Sequence, residues 1–401
     1  MNINNLINQQ HRLKKQKHRR KLWLKVHLWL GLGLGLILAV IGLTGSVLVF
    51  WREIDQALNS SLYKASASVG SIKSIDEIIA VAESAAPIGW VSTWSDAPLD
   101  AASNYLFGFY YEQVTPAPEE AESLTIAVDP YTAQVVGRRV FYHDWNPFKS
   151  SFVGFFFKLH YALFLGEVGV TIVGILALFF LVSVVTGMVL WWPNNGQWRR
   201  VLTIKRSASR ERFNHDLHQT TGFYSLIVML WLLVSGVYFN LPEQFKALVE
   251  VFSSVTADAK LENPLKAAPV IEQALQHAQQ IYPNANLHYF VVEPRLFTSC
   301  YKEIESLKTY VLDQGCVVFN RYDGQVLQIK DPAHGTIGDT LIQWQWPLHS
   351  GQIFGWAGRI LVFIVGLICP LLFVTGLIRW LQKRRAKSLR RGGLIKLRYM
   401  T

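Results

Sequence analysis

Four long apolar stretches decide what this chain can fold into. They cover residues 26–51, 168–192, 222–240 and 360–378, and each has Trp or Tyr near an end. A helix needs about 20 mainly apolar residues to cross the hydrocarbon core of a bilayer, and aromatic residues concentrate at the lipid–water interface. With 51% hydrophobic residues among 401, the composition is also too apolar for an ordinary soluble enzyme. The sequence therefore predicts an integral membrane protein with four transmembrane helices.

The positions of the charged residues predict the topology. More than half of the 39 Lys and Arg residues fall in three segments beside the apolar stretches, at 12–25, 199–212 and 379–398. The positive-inside rule places these segments, and hence both termini, in the cytoplasm. The two long regions between the stretches carry more Asp and Glu than Lys and Arg, so we expect them outside. Because the basic segments flank spans as topology signals do, the net charge of +11 does not indicate a nucleic-acid partner.

These signals divide the chain into nine predicted segments. The first apolar stretch begins like a signal peptide, but no small-residue cleavage site follows it, so we expect it to stay as an anchor. The segments are a basic cytoplasmic N-terminus (1–25), a first span (26–51), a first outer domain (52–150), a second span (151–192), a basic cytoplasmic loop (193–214), a third span (215–241), a second outer domain (242–345), a fourth span (346–381) and a basic cytoplasmic tail (382–401).

The sequence contains an internal repeat. VHLWLGL in the first stretch aligns with LHQTTGF in the third, which places His27 over His218. The second and fourth stretches also align, with His160 over His349 and a Thr-Gly pair over a Thr-Gly pair. Each unit reads as helix, outer domain, helix, which predicts a four-helix transmembrane bundle built from a tandem repeat.

The two outer domains are predicted to be α+β. Residues 76–86 and 269–282 have helical spacing, and alternating segments with hairpin turns follow them, such as VDPYTAQVV and NRYDGQVLQI. The alternating aromatic residues from Tyr105 to Tyr111 are interpreted as the core face of a strand rather than a ligand site.

The repeated histidines are the candidate functional residues. Helices one and three run outward, so His27 and His218 are expected together near the cytoplasmic face, and His160 and His349 near the outer face. Ionisable residues in membrane helices are costly and usually functional, and imidazole is a common metal ligand. Two imidazoles from facing helices can hold one haem iron, so the pattern predicts two haems, each with two histidine ligands to its iron.

Several neighbouring residues fit this hypothesis. His215, one turn from His218, is an alternative ligand, and Arg359 is a candidate contact for a haem propionate. Glycine has no side chain beyond a hydrogen atom, so it would let a flat ring approach the helix backbone. Glycines near the histidines are Gly31, Gly33, Gly35, Gly166, Gly169, Gly222, Gly355 and Gly358.

Other interpretations stay open at the level of sequence. A single interfacial histidine is more often solvated or hydrogen-bonded than a ligand. His143 and His334 lie outside the spans and are expected to face solvent, although either could serve the outer site. The four histidines could instead be the proton relay of a transporter, with Glu167 and Arg359 as partners. Whether Cys300 and Cys316 form a disulfide cannot be deduced from their spacing.

The motifs together resemble the PepSY-associated transmembrane family, also called iron-regulated membrane proteins. The resemblance is carried by VHLWLGLGLGL, TGSVLVFWREID, KLHYALFLGEVG, VVTGMVLWWP, HDLHQTTGFYSL, WPLHSGQIFGWAGR and VTGLIRW, and by the two hairpin turns. It covers nearly the whole chain. Ala133 departs from the family pattern, which usually has Gly at this turn position.

The resemblance implies a bacterial inner-membrane protein with two periplasmic PepSY-like domains and two b-type haems. His27, His218, His160 and His349 match the histidines of the family's helices. The implied activity is that of a ferric-siderophore reductase, which delivers electrons to periplasmic ferric chelates. No flavin or nicotinamide motif is present, so a quinol or a separate reductase is expected as the donor. PepSY domains elsewhere are linked to peptidase inhibition, so the alternative is a membrane-tethered regulator of envelope proteolysis.

Overall fold

The computed structural model describes residues 3–66, 70–98, 100–111, 122–193, 196–261, 269–303, 315–331 and 334–398. The outermost residues of the predicted basic termini, 1–2 and 399–401, lie outside this range. The chain forms two compact units. The helical unit consists of Met1–Ser46, Ile172–Phe239 and Val362–Thr401, and the sheet unit of Val47–Thr171 and Asn240–Leu361.

The order of helices and strands in the first half of the chain recurs in the second half. The first half contains α1 (Ile3–Gly33), α2 (Gly35–Leu48), α3 (Trp51–Leu58), α4 (Ser60–Tyr63), α5 (Ile75–Ala85), β1 (Trp90–Asp96), β2 (Tyr105–Tyr111), β3 (Glu122–Val128), β4 (Val135–His143), α6 (Phe152–Ala162) and α7 (Gly166–Trp191). The second half contains α8 (Trp198–Leu202), α9 (Arg210–Tyr224), α10 (Leu226–Asn240), α11 (Pro242–Glu250), α12 (Ile271–Ile281), β5 (Ala285–Val292), β6 (Leu296–Glu303), β7 (Gly315–Asn320), β8 (Val326–Lys330), α13 (Ile337–His349) and α14 (Gly355–Arg398).

Two single helices are long and apolar enough to cross a membrane, at Gly166–Trp191 and Gln352–Leu389. Two bent helix pairs are also long and apolar enough when each pair is taken as one span. They are Lys17–Gly33 with Gly35–Leu48, bent by 60°, and Arg210–Tyr224 with Leu226–Asn240, bent by 61°. Among the described residues there are thus two candidate spans, or four if each bent pair counts as one.

The two bends occur at aligned positions of the repeat. The first lies at Leu34, between Gly33 and Gly35, where the absence of side chains weakens the helix. The second lies at Ser225, whose hydroxyl bonds the carbonyl of Gly222 at 3.3 Å. Gly and Ser at such sites are common causes of a kink. The bends therefore follow from local sequence.

The spans predicted at 151–192 and 346–381 are each interrupted in the structure. After α6, Leu163, Phe164 and Gly166 have positive φ, and Gly351 and Gly355 do the same after α13. A left-handed residue ends a helix, because it turns the backbone away from the helical path. His160 and His349 therefore lie on short helices that precede the long apolar ones.

An eight-stranded antiparallel sheet forms the centre of the sheet unit. Its order is β4-β3-β2-β1-β5-β6-β7-β8, so each half contributes four consecutive strands. The halves meet where β1 pairs with β5, through Ser95 with Phe290 and Asp96 with Tyr289. The two predicted α+β regions are therefore continuous through one sheet.

Helices α5 and α12 cover one face of this sheet and cap each other. The carboxylate of Asp76 accepts from the backbone N–H groups of Ile271 and Glu272, both at 3.0 Å. In return, Glu272 accepts from the N–H of Ile75 at 3.3 Å. Carboxylates at helix N-termini satisfy unpaired N–H groups and favour the helix dipole. These reciprocal contacts tie the two halves together.

The core lies between these helices and the sheet. Phe107 and Phe109 of the aromatic run are almost completely buried, which confirms that they belong to the core face of a strand. They pack with Phe290, Phe297 and residues of both helices. On neighbouring strands, Cys300 pairs with Cys316 and forms the disulfide that the sequence left open.

Candidate functional site

His27 and His218 lie together in the helical unit. His27 is on α1 and His218 is on α9, and their ring centres are 6.3 Å apart with the planes at 78°. Both rings are half-buried. The structure thus brings together the first of the two histidine pairs that the repeat predicted.

The Nδ1 atom of each ring in this pair is held by a neighbouring helix. His27 Nδ1 lies 2.9 Å from the carbonyl oxygen of Ser183 and 3.3 Å from the hydroxyl of Thr186, both on α7. His218 Nδ1 lies 2.9 Å from the hydroxyl of Thr375 on α14. A polar contact at one ring nitrogen fixes the ring's orientation and leaves the other nitrogen for a metal, as is usual for histidine ligands.

The glycines of the two Thr-Gly pairs make room for these rings. A Cβ atom placed on Gly187 would lie 3.0 Å from Cε1 of His27, and one on Gly376 would lie 3.4 Å from Cε1 of His218. The first contact is tight enough that the His27 ring would have to shift by a few tenths of an ångström, and the second is close to ordinary van der Waals contact. The repeated Thr-Gly pair therefore supplies both an anchor for the ring and the space in which it lies.

His160 and His349 form the second pair, within the sheet unit. They lie on α6 and α13, with ring centres 6.1 Å apart and the planes at 67°. Like the first pair, the second therefore takes one histidine from each half of the chain.

Asn240 holds the backbone where α6 ends and α7 begins. Its amide donates to the carbonyl oxygens of Tyr161 and Val170 at 2.8 and 2.9 Å.

The ring separations suit two imidazoles that share one metal ion. Two metal–nitrogen bonds of about 2 Å, with both rings aimed at the metal, bring the ring centres to roughly 6 Å. Ordinary edge-to-face contacts cover the same range of distance. The Nδ1 contacts of His27 and His218 add the feature expected of ligands, because they orient each ring from the side away from the metal.

Bare backbone lies one turn from each histidine of the first pair. Within the described residues, a Cβ on Gly31 would meet nothing within 4 Å, and one on Gly222 would meet only Leu372 Cδ2, at 3.7 Å. Such a surface accepts a flat ring against the helix. The donor set and this surface therefore fit a haem, which needs two axial imidazoles. No group of three or more His, Cys, Asp or Glu side chains in the described part of the chain is arranged to hold a metal ion.

Not all the singled-out glycines have this role. A Cβ on Gly35 would strike the Phe373 ring, and one on Gly166 would strike Trp145. Gly169 and Gly358 occupy aligned positions and lie directly against backbone carbonyls of the preceding turns, those of Ala162 and Gly351. These four glycines serve the packing of the chain itself.

The other predicted site residues have identifiable partners. His215 makes only a long contact of 3.5 Å to Asp216 and is not in the ring pair, so the geometry favours His218 as the ligand. The guanidinium of Arg359 contacts Glu53 at 2.7 Å and lies over Phe50 and Trp356. Glu53 balances the charge of Arg359, and the propionate contact stays a prediction.

His143 and His334, the two histidines singled out in the sequence outside the spans, differ in their exposure to solvent. The expectation that His143 faces solvent is wrong, because it is 3% exposed. Its Nδ1 accepts from the N–H groups of Trp145 and Asn146 at 3.2 and 3.0 Å, which stabilises the turn before α6. His334 is exposed as expected and contacts Asp331 at 2.7 Å.

A buried polar cluster beside His160 was not predicted. Lys158 forms an ion pair with Asp144, and both side chains are buried. Tyr110 donates to Asp144 at 2.8 Å, and Lys158 donates to the hydroxyl of Tyr161 at 2.8 Å. Burial and the adjacent Asp144 carboxylate raise the pKa of Tyr110 above its ordinary value. A lysine within the apolar run FVGFFFKLHYALF was the sequence signal that could have revealed it.

Comparison with models of protein families identifies the family of this chain. A family model described as PepSY-associated TM region matches residues 24–383. Both histidine pairs lie inside the matched residues. A comparison with curated proteins found no relative.

Proposed function

This chain belongs to the family of the PepSY-associated TM region, and from that premise we propose that it is a di-haem oxidoreductase of the bacterial inner membrane. It would pass electrons across the membrane and reduce ferric-siderophore or other ferric chelates in the periplasm, which releases their iron. Reduction loosens iron because ferrous ion is held less strongly by hard oxygen ligands. A quinol or a separate reductase would be the donor.

The observation that carries this proposal is the pairing of the four histidines. Each pair joins one histidine from each half, at ring separations of 6.3 and 6.1 Å. His27 and His218 would hold one haem and His160 and His349 the other, and each haem would supply one-electron transfer. The Ser183 carbonyl and the Thr375 hydroxyl would keep the first two imidazoles oriented toward the metal.

The proposed topology rests on charge and on the disulfide. We propose four spans in a tandem-repeat bundle, with the basic termini and the loop 193–214 in the cytoplasm. The sheet unit would then be periplasmic and contain both PepSY-like domains. The Cys300–Cys316 disulfide supports this, because disulfides persist mainly in oxidising compartments such as the periplasm.

The contacts of Arg359 weigh against the transporter alternative. The relay hypothesis has Glu167 and Arg359 as partners of the histidines, whereas Arg359 contacts Glu53 and the backbone of Val49. Glu167 is exposed.

Haem content tests the proposal directly. Protein purified from haem-replete cells should contain two haems per chain and show a Soret band that shifts with dithionite. His27→Ala and His160→Ala should each remove one haem and leave the other, whereas His334→Ala should remove none. In proteoliposomes loaded with a reductant, the wild type should reduce an external ferric chelate, and either histidine variant should not. Colourless protein, or two haems retained in both ligand variants, would refute the proposal and leave the regulator of proteolysis as the better hypothesis.

A further inference from the structure

A basic cleft lies in the helical unit, in the segment between α7 and α9. It has a volume of about 670 Å³ and is lined by Gly196, Gln197, Trp198, Arg199, Arg200, Thr203, Lys205 and Arg212. The cleft is shallow and open to solvent, so it suits the charged end of a ligand better than a fully enclosed molecule. The histidine pairs use none of these residues.

The cleft carries positive charge that no acidic lining residue neutralises. Four of its lining side chains are cationic and none is acidic. Arg212 contacts the buried carboxylate of Asp216 at 2.6 Å. Within the described residues, Arg199, Arg200 and Lys205 form no ion pair with Asp or Glu. Three cations that share one concave surface repel each other and attract an anion.

The other groups of the cleft suit a phosphate ester. The side chains of Gln197 and Thr203 add polar groups to the lining. Trp198 also lines the cleft, and its ring packs against those of Trp191 and Trp192 at centroid distances of 5.8 and 5.1 Å. One arginine side chain can donate two parallel hydrogen bonds to the oxygens of one phosphate group. An aromatic ring beside it can contact the organic part of the ligand.

We propose that this cleft is a binding site for the phosphate or diphosphate group of an anionic ligand. Two sources share this chemistry, a soluble nucleotide and an anionic lipid headgroup. The site would lie on the cytoplasmic side in the proposed topology. Arg212 is six residues before His218 on α9, about 9 Å along the helix, so the ligand would bind at the start of the helix that carries His218.

Binding measurements with the full-length protein in neutral detergent test this site. The probes are FMN, followed by its fluorescence anisotropy, and then inorganic pyrophosphate, short-chain phosphatidylglycerol and phosphatidylcholine as competitors. The test variant is Arg199→Gln/Arg200→Gln/Lys205→Gln. The matched control is Arg384→Gln/Arg385→Gln/Lys387→Gln, which removes the same charge from exposed positions of α14. The midpoint of thermal unfolding of both variants reports folding and does not depend on haem.

We expect the wild type and the control to bind an anionic probe, and the test variant to bind it at least tenfold more weakly. Displacement of FMN by pyrophosphate but not by phosphatidylglycerol would assign a soluble ligand such as a nucleotide. Displacement of FMN by phosphatidylglycerol, with no effect of phosphatidylcholine, would assign a lipid headgroup. Equal affinity in the test variant and the control, or no binding of any anionic probe by the wild type, would overturn the proposal. Because binding does not require haem, the result stands apart from the outcome of the haem experiment.

Discussion

The hydroxyl of Thr375 is the contact that most directly orients a proposed ligand. It lies 2.9 Å from His218 Nδ1, and it also donates to the carbonyl of Leu371 at 2.7 Å. This arrangement allows the hydroxyl to accept from the ring N–H, so that Nε2 is left for the metal. A valine has nearly the same shape but cannot accept, and the ring would then be free to turn.

We therefore expect Thr375→Val to weaken haem binding at the His27 and His218 pair by roughly tenfold, the lower end of the effect of such outer contacts. Thr375→Ser should restore it. Thr171→Val is the control, because the hydroxyl of this exposed threonine bonds only the carbonyl of Glu167 in its own helix. Haem transfer to apomyoglobin measures the loss. If Thr375→Val and Thr171→Val release haem equally, the hydroxyl does not position the ligand.

His288 gives the sheet unit a pH dependence. It is 7% exposed on β5. Burial, and secondarily the charge of Arg52, lower its pKa from 6.5 to about 4, which the nearby Asp96 only partly offsets. His288 therefore becomes protonated near pH 6.5 in the unfolded chain, but only near pH 4 in the folded chain.

The stability of the sheet unit should consequently be highest above pH 6.5 and should fall as the pH drops toward 4. We expect His288 to account for about 1–3 kcal/mol of this loss. Thermal unfolding of His288→Gln between pH 4 and 7 should show a shallower decline than the wild type. His334→Gln, at an exposed position, should follow the wild type. An unchanged slope in His288→Gln would contradict the assignment.

At the scale of single elements, the two hairpin turns have the same backbone despite different residues. Ala133 and Gly324 occupy aligned positions and have φ of 51° and 69°. In both turns the N–H of this residue bonds the carbonyl four residues earlier, at 3.0 Å. The substitution of Ala for Gly left the turn type undetermined from sequence. The structure shows that Ala133 keeps the left-handed conformation.

A left-handed conformation costs a non-glycine residue roughly 1–2 kcal/mol. Ala133→Gly should therefore raise the unfolding free energy by about 0.5–1 kcal/mol, after the larger entropy loss of glycine is subtracted. The reciprocal change Gly324→Ala should lower it by a similar amount, because its Cβ would find room, with Val270 Cγ2 at 3.5 Å, and only the backbone strain remains. Shifts of the same sign in the two variants would rule out this explanation.

Helices α2 and α14 pack through glycine. A Cβ on Gly42 would lie 2.6 Å from Cβ of Cys369 and 2.7 Å from the carbonyl of Gly366. Next to it, Ser46 donates to the carbonyl of Phe363 at 2.9 Å. Small residues of this kind let membrane helices approach closely.

Gly42→Ala should destabilise the helical unit by about 1–3 kcal/mol, because a methyl group must be forced into this contact. Gly236→Ala makes the same chemical change on α10, where a Cβ meets nothing within 4 Å in the described structure. It should be neutral or stabilising by up to about 1 kcal/mol, because alanine favours the helix. Midpoints of thermal unfolding in detergent compare the two. A Gly42→Ala protein as stable as Gly236→Ala would show that the helices can separate at no cost.

Pattern and repeat in the sequence were enough to predict the helices, the hairpins and both histidine pairs, because these depend on periodicity and alignment. The break before α7 was missed, since Leu163 and Phe164 carry no local preference for positive φ. The break before α14 was missed although Gly351 and Gly355 adopt positive φ readily. The function of each glycine was also beyond the sequence. Gly31 and Gly42 lie in the same apolar stretch, yet only the packed structure separates an open backbone from a helix contact.

At the scale of the whole molecule, the two repeats depend on each other. Each histidine pair is made from both halves, as His27 with His218 and His160 with His349. The sheet is also shared, since β1 pairs with β5 across the halves. Arg321 and Glu83 add an ion pair of 2.6 Å between them. Neither half alone contains a complete histidine pair. Each half alone would also leave one of the two central strands, β1 or β5, unpaired on one side.

A chain cut after Pro193 tests this dependence. Residues 1–193 alone should bind no haem as a monomer, because this fragment holds only one histidine of each pair, and the exposed edge of β1 should favour aggregation. Co-expression with residues 194–401 should restore a complex that contains two haems, since the contacts between halves do not need the peptide connection. An intact chain with a Gly-Ser insertion after Pro193 is the control for the altered loop. Haem binding by the monomeric first fragment would mean that each repeat builds its own site, and the pairing across repeats would then have no role in holding a cofactor.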